Sequence, residues 1–211
     1  MTSDKISKHS NPGRPVDLEL RDRRISEILR TAARLFAERG YANTNIQSIA
    51  DDLKISKGLV YRYFEGKEHL FWSCLEDAVT RLNETIQANV DPGQRPLEQL
   101  SQAILGYLQF FHDNSEVVEL FIQERVHFRD LKKSTYFTHR QANMEPWQEL
   151  LSDLAKKGEI HDIPADQILD HIADLLYGVI FTDRIIGRCQ PPEQRHRQIE
   201  KLLFHGLLNR N

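Results

Sequence analysis

The stretch that decides the fold is residues 44–64, TNIQSIADDLKISKGLVYRYF. Apolar residues in its first half recur at helical spacing and share one face: Ile46, Ile49, Ala50 and Leu53. A break at residues 54–56 follows, and Val60 and Phe64 then form an apolar pair four residues apart. The pattern predicts two short helices joined by a tight turn, which is a helix-turn-helix.

Residues at the ends of these segments favour the same arrangement. Thr44, with Gln47 three residues later, fits a capping box and is predicted to open the first short helix. Ser56 is predicted to cap the second. A longer helix from residue 18 to Gly40 precedes them, and its apolar face is Ile25, Ile28, Leu29, Ala32, Leu35 and Phe36. The three segments together predict a small helical domain.

The second short helix has the surface that a DNA-reading element needs. From Lys57 to Phe64 it contains no acidic residue that would meet a phosphate. Gly58 lets a backbone approach closely, and Tyr61 and Tyr63 offer hydroxyls to phosphates and rings to sugars or thymine methyls. This segment is therefore predicted to be the DNA-reading helix.

Lys67 follows at the start of a long helix that is predicted to run to about Val90. A cation in the first turn opposes the helix dipole at a cost of about 0.3–1 kcal/mol. A DNA phosphate docked at that helix end would offset the cost. The alternative is an ordinary solvated lysine.

Three stretches resemble the TetR family of bacterial regulators: GYANTNIQSIA at 40–50, ISKGLVYRYF at 55–64 and KEHL at 67–70. The resemblance covers about residues 22–82, and the rest of the chain is similar only in being helical and of the right length. It implies a DNA-binding domain in the matched part. It also implies a divergent C-terminal domain that binds a ligand and forms a dimer.

The resemblance also implies roles for single residues. Phosphate contacts are implied for Thr44, Tyr63 and Lys67. Base or groove contacts are implied for Ser56, Lys57, Gly58 and Tyr61.

Two positions depart from the family pattern. Lys54 stands where the turn commonly has glycine, so we expect a strained or differently capped turn. Leu59 stands where threonine or serine is common, and leucine can contact a thymine methyl but cannot hydrogen-bond a base. Because of Leu59, the resemblance implies no particular operator sequence for this chain.

The fold class predicted for the whole chain is all-α, with about nine helices. We expect three parts, namely a flexible basic arm at 1–21, a helix-turn-helix domain at 22–82, and a ligand-binding and dimerisation bundle at 83–211. Residues 1–70 carry a net charge of +3 and residues 71–211 a net charge of −6, which suits DNA binding by the first part. Pro146 is expected to kink or break the helical segment at 131–157.

The arm contains Arg14 within a Gly-Arg-Pro sequence, which would fit an A·T-rich minor groove. A solvated, disordered tail is the alternative.

Aromatic residues concentrate in residues 105–147, with polar groups among them, as expected of an apolar pocket with a few orienting groups. The candidate pocket residues are Tyr107, Phe111, Phe121, Arg125, Tyr136 and Trp147. Basic groups in the same region would suit an anionic ligand. An ordinary helical core with solvated polar faces remains the alternative.

The sequence favours a cytoplasmic regulator rather than an enzyme or membrane protein. It has no run of 18 apolar residues, no signal-like N-terminus, and no cofactor, nucleophile or metal-ligand motif. The expected partners are double-stranded operator DNA, a second copy bound through the last two helices, and an unidentified small-molecule effector. A DNA-binding regulator without a small-molecule effector is the alternative.

Overall fold

The computed structural model describes residues 18–129 and 134–207, and every regular element in these ranges is a helix. The ten helices are α1 (Leu18–Arg39), α2 (Ile46–Asp52), α3 (Lys57–Tyr61), α4 (Lys67–Asn89), α5 (Pro96–Asp113), α6 (Glu116–His127), α7 (Thr135–Ala142), α8 (Glu145–Lys156), α9 (Ala165–Ile186) and α10 (Pro192–Leu207). The all-α prediction is confirmed. The described helices number ten rather than nine because the segment predicted at 131–157 contains two of them.

Proline explains that division. Pro146 lies in the first turn of α8, where the N–H that proline lacks would have no helical partner. The expectation of a kink or break near Pro146 is confirmed as a break. α1 begins at Leu18, so the last four residues assigned to the arm are helical.

The helix-turn-helix core uses the faces that the sequence predicted. On α1, Ile28, Ala32, Leu35 and Phe36 are completely buried, and Ile49 and Ala50 of α2 meet them in the same core, with no exposed surface on either residue. The members of this small core are close in sequence, so helical periodicity alone identified them.

The start of α2 differs from the prediction by one residue. Asn45, not Thr44, caps the helix: its side chain accepts a hydrogen bond from the Ser48 N–H (2.9 Å), and Ser48 Oγ accepts one from the Asn45 N–H (3.4 Å). Thr44 is fully buried, and its hydroxyl bonds to the carbonyls of Leu35 (3.1 Å) and Gly40 (2.9 Å). The predicted capping box at Thr44 is wrong because this hydroxyl fastens the turn to α1.

The turn between α2 and α3 depends on a left-handed residue. Lys54 has φ of +54°, and it is the only non-glycine residue with positive φ in the described ranges. The Ile55 N–H bonds to the Ala50 carbonyl (2.9 Å) and the Lys54 N–H to the Asp51 carbonyl (3.1 Å), which is a Schellman motif. The expectation of a strained turn at Lys54 is confirmed.

α4 joins the helix-turn-helix to the rest of the chain. It is 23 residues long and passes through the predicted boundary at 82–83 without a break. At its far end, Gly106 of α5 lies so close that a Cβ there would stand 3.1 Å from the Asn89 side chain. None of the helices within 18–129 and 134–207 is long and apolar enough to cross a membrane.

Replacing Lys54 by glycine is expected to stabilise the protein. A left-handed conformation costs a non-glycine residue about 1–2 kcal/mol, whereas glycine loses about 0.5–1 kcal/mol through its larger backbone entropy. Lys54 is exposed, so little packing is lost. Lys54→Gly should raise the free energy of unfolding by about 0.5–1 kcal/mol, measured by urea denaturation. Lys54→Ala should leave it nearly unchanged and Lys54→Val should lower it; a Lys54→Gly protein less stable than Lys54→Ala would contradict this account.

Candidate nucleic-acid interface and ligand cavity

α3 is anchored on one side and exposed on the other. Ser56 caps it by accepting a hydrogen bond from the Leu59 N–H (3.2 Å), as predicted. Val60 is fully buried and Phe64 nearly so, which confirms that this pair faces the core. The opposite face is therefore held in a fixed orientation toward solvent.

That exposed face carries most of the residues that the sequence assigned to DNA. Ser56, Lys57, Gly58 and Tyr61 are exposed, whereas Leu59 and Tyr63 are half-buried. The Lys57 ammonium lies 5.5 Å from the centre of the Tyr61 ring. The space that a Cβ on Gly58 would occupy is free of other atoms within 4 Å. Packing within the chain therefore does not require glycine at this position, and an external backbone could approach it.

Two predicted phosphate contacts are placed differently. The Thr44 side chain is buried, so it presents no surface to DNA in this conformation. Lys67 Nζ donates to the carbonyls of Tyr41 (2.9 Å) and Ala42 (3.3 Å) and lies 4.4 Å from the centre of the Tyr41 ring. These bonds fasten the turn after α1 to the start of α4. Arg14 lies outside the described residues.

Tyr41 is the point where the helix-turn-helix meets α6. Its N–H donates to Gln123 Oε1 (2.5 Å), and Gln123 Nε2 donates to the Phe36 carbonyl (2.7 Å). Its ring packs on four others at centroid distances of 5.0–5.8 Å, namely those of Phe36, Phe71, His127 and Phe128. Burial is the main cause that raises the pKa of its hydroxyl. We call Tyr41, Lys67 and Gln123 the Tyr41 junction.

α7 is tied to both α4 and α6. His139 of α7 bonds through Nε2 to Glu76 of α4 (2.5 Å). Glu124 of α6 is fully buried, and its Oε1 accepts from the N–H (2.8 Å) and the hydroxyl (2.6 Å) of Thr135 at the start of α7. Glu124 is next to Gln123, so one turn of α6 bonds both to α7 and to the helix-turn-helix.

A cavity of about 150 Å³ lies among α4, α5, α7, α8 and α9. Three of the six predicted pocket residues line it: Tyr107, Tyr136 and Trp147. The other apolar lining residues are Val79, Leu82, Ile86, Leu100, Ala103, Ile104, Met144, Leu169, Ile172, Ala173 and Leu176. Its polar lining residues, besides the two tyrosines, are Asn83, His139, Arg140 and Asn143.

The remaining predicted pocket residues lie elsewhere. Phe121 is buried and packs on the Tyr136 ring at 5.4 Å, behind the cavity wall. Phe111 lines a separate cavity beside α9 and α10, and Arg125 lines an open groove on the outer side of α7. Helical spacing did not reveal which aromatic side chains face the space between helices.

The cavity residues on α4 and α9 were not among those predicted from the sequence. Asn83, Leu82 and Ile86 lie on a helix that begins at the DNA-binding end, and Leu169 and Ile172 come from α9. All but Asn83 are apolar, which is ordinary for a buried helix face. Their tertiary placement, rather than a motif, identifies them.

The part of the chain that the structure describes holds no cluster of three or more His, Cys, Asp or Glu side chains suited to a metal ion. Cys74 and Cys189 are both free thiols. Cys74 is buried, and burial raises the pKa of its thiol well above the usual value.

Residues 28–74, which contain the second half of α1, all of α2 and α3 and the start of α4, match the family model described as bacterial regulatory proteins, tetR family. The chain is 32% identical over 91 residues to the HTH-type transcriptional regulator HbdR of Aromatoleum sp. (strain CIB). That alignment covers 43% of this chain and only 40% of HbdR.

A longer alignment joins the chain to the HTH-type transcriptional repressor KstR2 of Mycolicibacterium smegmatis (strain ATCC 700084 / mc(2)155). The identity is 26% over 153 residues, covering 72% of this chain and 75% of that repressor. The solved structure of the ketosteroid transcriptional regulator KstR2 of Mycobacterium tuberculosis superposes with a TM-score of 0.68 at 22% identity, over 89% of this chain and 96% of that one. A capped α3 on a buried helix-turn-helix core agrees with the match of residues 28–74 to the tetR family model. This part of the chain is therefore a helix-turn-helix domain of the TetR type, and the chain is similar to HTH-type transcriptional regulators.

Proposed function

We propose that the protein is a dimeric repressor that binds operator DNA through α3 and leaves it when a small molecule fills the cavity beside α4. The observation that carries this proposal is the course of α4. Its first residue, Lys67, is bonded to the turn that supports α2 and α3, and three turns later Val79, Leu82 and Ile86 line the cavity. The first residue of α4 thus contacts the helix-turn-helix, and the second half of the same helix lines the cavity.

Lys57 and Tyr61 are proposed to read the groove, with Ser56, Gly58 and Leu59 beside them on the approach to DNA. Tyr63 is proposed to contact phosphate. The exposure of Lys57 and Tyr61 supports this assignment. The nearest acidic residue on α2, Asp52, is bonded to Arg34 of α1 (2.6 Å), which offsets part of its repulsion of DNA.

Lys57→Ala should weaken operator binding and reduce its salt dependence. Removing one cation at a phosphate-rich surface lowers the slope of log K against log salt by about one. The measurement is fluorescence anisotropy of a labelled operator duplex against a scrambled duplex at several salt concentrations. Lys156→Ala is the matched control, because Lys156 is an exposed lysine on α8, outside the helix-turn-helix. Equal slopes of log K against log salt for Lys57→Ala and Lys156→Ala would show that α3 is not part of the DNA interface.

The proposed dimer uses α9 and α10. Three large apolar side chains on these helices are exposed in the single chain: Ile185 (74%) and Ile186 (57%) at the end of α9, and Leu202 (67%) on α10. Leu203 and Phe204, beside Leu202, are only partly buried. A second copy related by a two-fold axis would cover this surface, and two-fold symmetry would present two α3 helices to successive turns of DNA.

Leu202→Glu should convert the dimer to a monomer, because a carboxylate would have to be buried in an apolar contact. Light scattering at micromolar concentration measures the mass, and operator affinity should fall with it. Ile163→Glu places the same charge at an exposed apolar residue outside the proposed interface, and this variant should remain a dimer. A monomeric wild-type protein, or a dimeric Leu202→Glu protein, would refute the interface.

Coupling between cavity and DNA is proposed to use the Tyr41 junction as well as α4. α7 forms one wall of the cavity and is bonded to Glu124, whose neighbour Gln123 holds the Tyr41 N–H. A shift of α7 would therefore change how the helix-turn-helix packs on α6. Because coupling between two sites is reciprocal, operator DNA should also stabilise α6 and α7.

Gln123→Leu tests that link without any effector. In the wild-type protein, operator DNA should slow hydrogen exchange in α3 and also in α6 and α7. In Gln123→Leu the protection of α3 should remain while that of α6 and α7 is lost, because the hydrogen bonds to Tyr41 and Phe36 are gone. Gln87→Leu, at an exposed position on α4, should behave like the wild type. Unchanged protection in Gln123→Leu would show that the junction carries no coupling.

A further inference from the structure

The volume of the cavity beside α4 indicates how large a group it can surround. An apolar protein cavity of about 150 Å³ accommodates benzene, and the cavity here has about the same volume, 150 Å³. Leucine, isoleucine, alanine and valine side chains supply most of its wall. A six-membered ring or a short alkyl chain therefore fits within this volume, whereas a long chain would extend beyond it.

The polar end of the cavity is rich in hydrogen-bond donors. Arg140 is its only permanently charged lining residue, and no carboxylate belongs to the lining within the described part of the chain. The Nε atom of Arg140 is buried and has no hydrogen-bond partner. A buried guanidinium N–H without a partner costs free energy, and an acceptor from a ligand would satisfy it.

The paired tyrosines add a second donor. The hydroxyls of Tyr107 and Tyr136 lie 3.1 Å apart. Only one of their two protons can occupy the bond between them, so one O–H is left to donate. Burial raises the pKa of both hydroxyls, so both keep their protons, and the charge of Arg140 offsets part of each shift. Arg140 and both tyrosines line the same cavity, so one ligand there can meet donors from all three.

We propose that the cavity binds a small apolar monocarboxylate, with the carboxylate between Arg140 and the Tyr107–Tyr136 pair and a ring or short chain between α4 and α9. This assignment rests on the proposed function, because it names the chemical class of the effector. A carboxylate matches the donors in number and charge, since it accepts from an arginine and a hydroxyl at once. The apolar body would pack on Leu82, Ile104 and Ile172.

Asp170 is a carboxylate of the chain itself that competes with a ligand carboxylate for Arg140. Its carboxylate bonds to an Nη atom of Arg140 from the solvent side, and its own side chain is 65% exposed. The bond to Asp170 leaves Nε and the other Nη available. A ligand carboxylate can therefore bind without breaking this ion pair, although the second negative charge lowers its affinity.

Isothermal titration of the DNA-free wild-type protein with benzoate and hexanoate tests the class. Benzamide and hexanamide are neutral controls of the same shape, and dodecanoate is a carboxylate too long for the cavity. Each acid should bind at least tenfold tighter than its amide, and benzoate should bind tighter than dodecanoate. The proposal is overturned if the acids do not bind, if acid and amide bind alike, or if dodecanoate binds tightest.

Variants test the position of the carboxylate. Arg140→Gln should weaken benzoate binding at least tenfold and remove its preference over benzamide, while Arg140→Lys should retain part of that preference. Asp170→Asn should bind benzoate as tightly as the wild type or tighter. Arg125→Gln removes a nearby charge outside the cavity and should change nothing. Melting temperatures of the free variants establish that each is folded, and wild-type affinity in folded Arg140→Gln would overturn the proposal.

A separate measurement distinguishes this inference from the repressor mechanism. Benzoate is added to the protein bound to labelled operator, and anisotropy is followed. Release together with Arg140-dependent binding supports both proposals. Arg140-dependent binding without release supports the ligand class and contradicts effector-controlled release. Operator binding without any benzoate binding contradicts the ligand class alone.

Discussion

The structure depends on how Tyr41 is held between two parts of the chain. Its backbone N–H is bonded to Gln123, its carbonyl to Lys67, and its ring lies in an aromatic cluster. The backbone just after α1 would otherwise leave these polar groups to water. The bonds come from α6 and from the first residue of α4, so the orientation of the helix-turn-helix is defined by both. Any change in the position of α4 relative to α6 must alter the contacts that hold Tyr41.

This constraint explains why Lys67 is better understood as part of the junction than as a free cation. Its position in the first turn of α4 is unfavourable with respect to the helix dipole. Two carbonyl acceptors and the face of the Tyr41 ring offset that cost within the chain. The helix end is therefore fixed before DNA arrives, and the shape of the DNA-binding domain does not depend on a phosphate at this point.

Local patterns in the sequence predicted the elements well, and tertiary contacts account for the differences. The apolar face of α1, the cap at Ser56 and the inward pair Val60 and Phe64 all follow from spacing within one turn or two. Thr44 was misassigned because its hydroxyl bonds to Leu35, nine residues earlier. Periodicity identified an apolar face but not which aromatic lines a cavity, so Tyr107 was found and Phe121 was misplaced. The bond between Gln123 and Tyr41 spans 82 residues, and no local pattern signals it.

Arg140 takes part both in the proposed binding of a ligand and in the proposed coupling of the cavity to the DNA-binding helices. Keeping a guanidinium at the edge of an apolar cavity costs desolvation, and the ion pair with Asp170 satisfies only one side of it. The neighbouring residue on α7, His139, is bonded to Glu76 on α4. An acid that satisfies Arg140 while its apolar body packs on α4 would interact with both helices at once. On the proposed mechanism such a ligand would change the position of α7 relative to α4, and the first residue of α4 is bonded to the Tyr41 carbonyl. The energy for moving the DNA-reading helices would then come from a polar group that the free protein leaves without a partner.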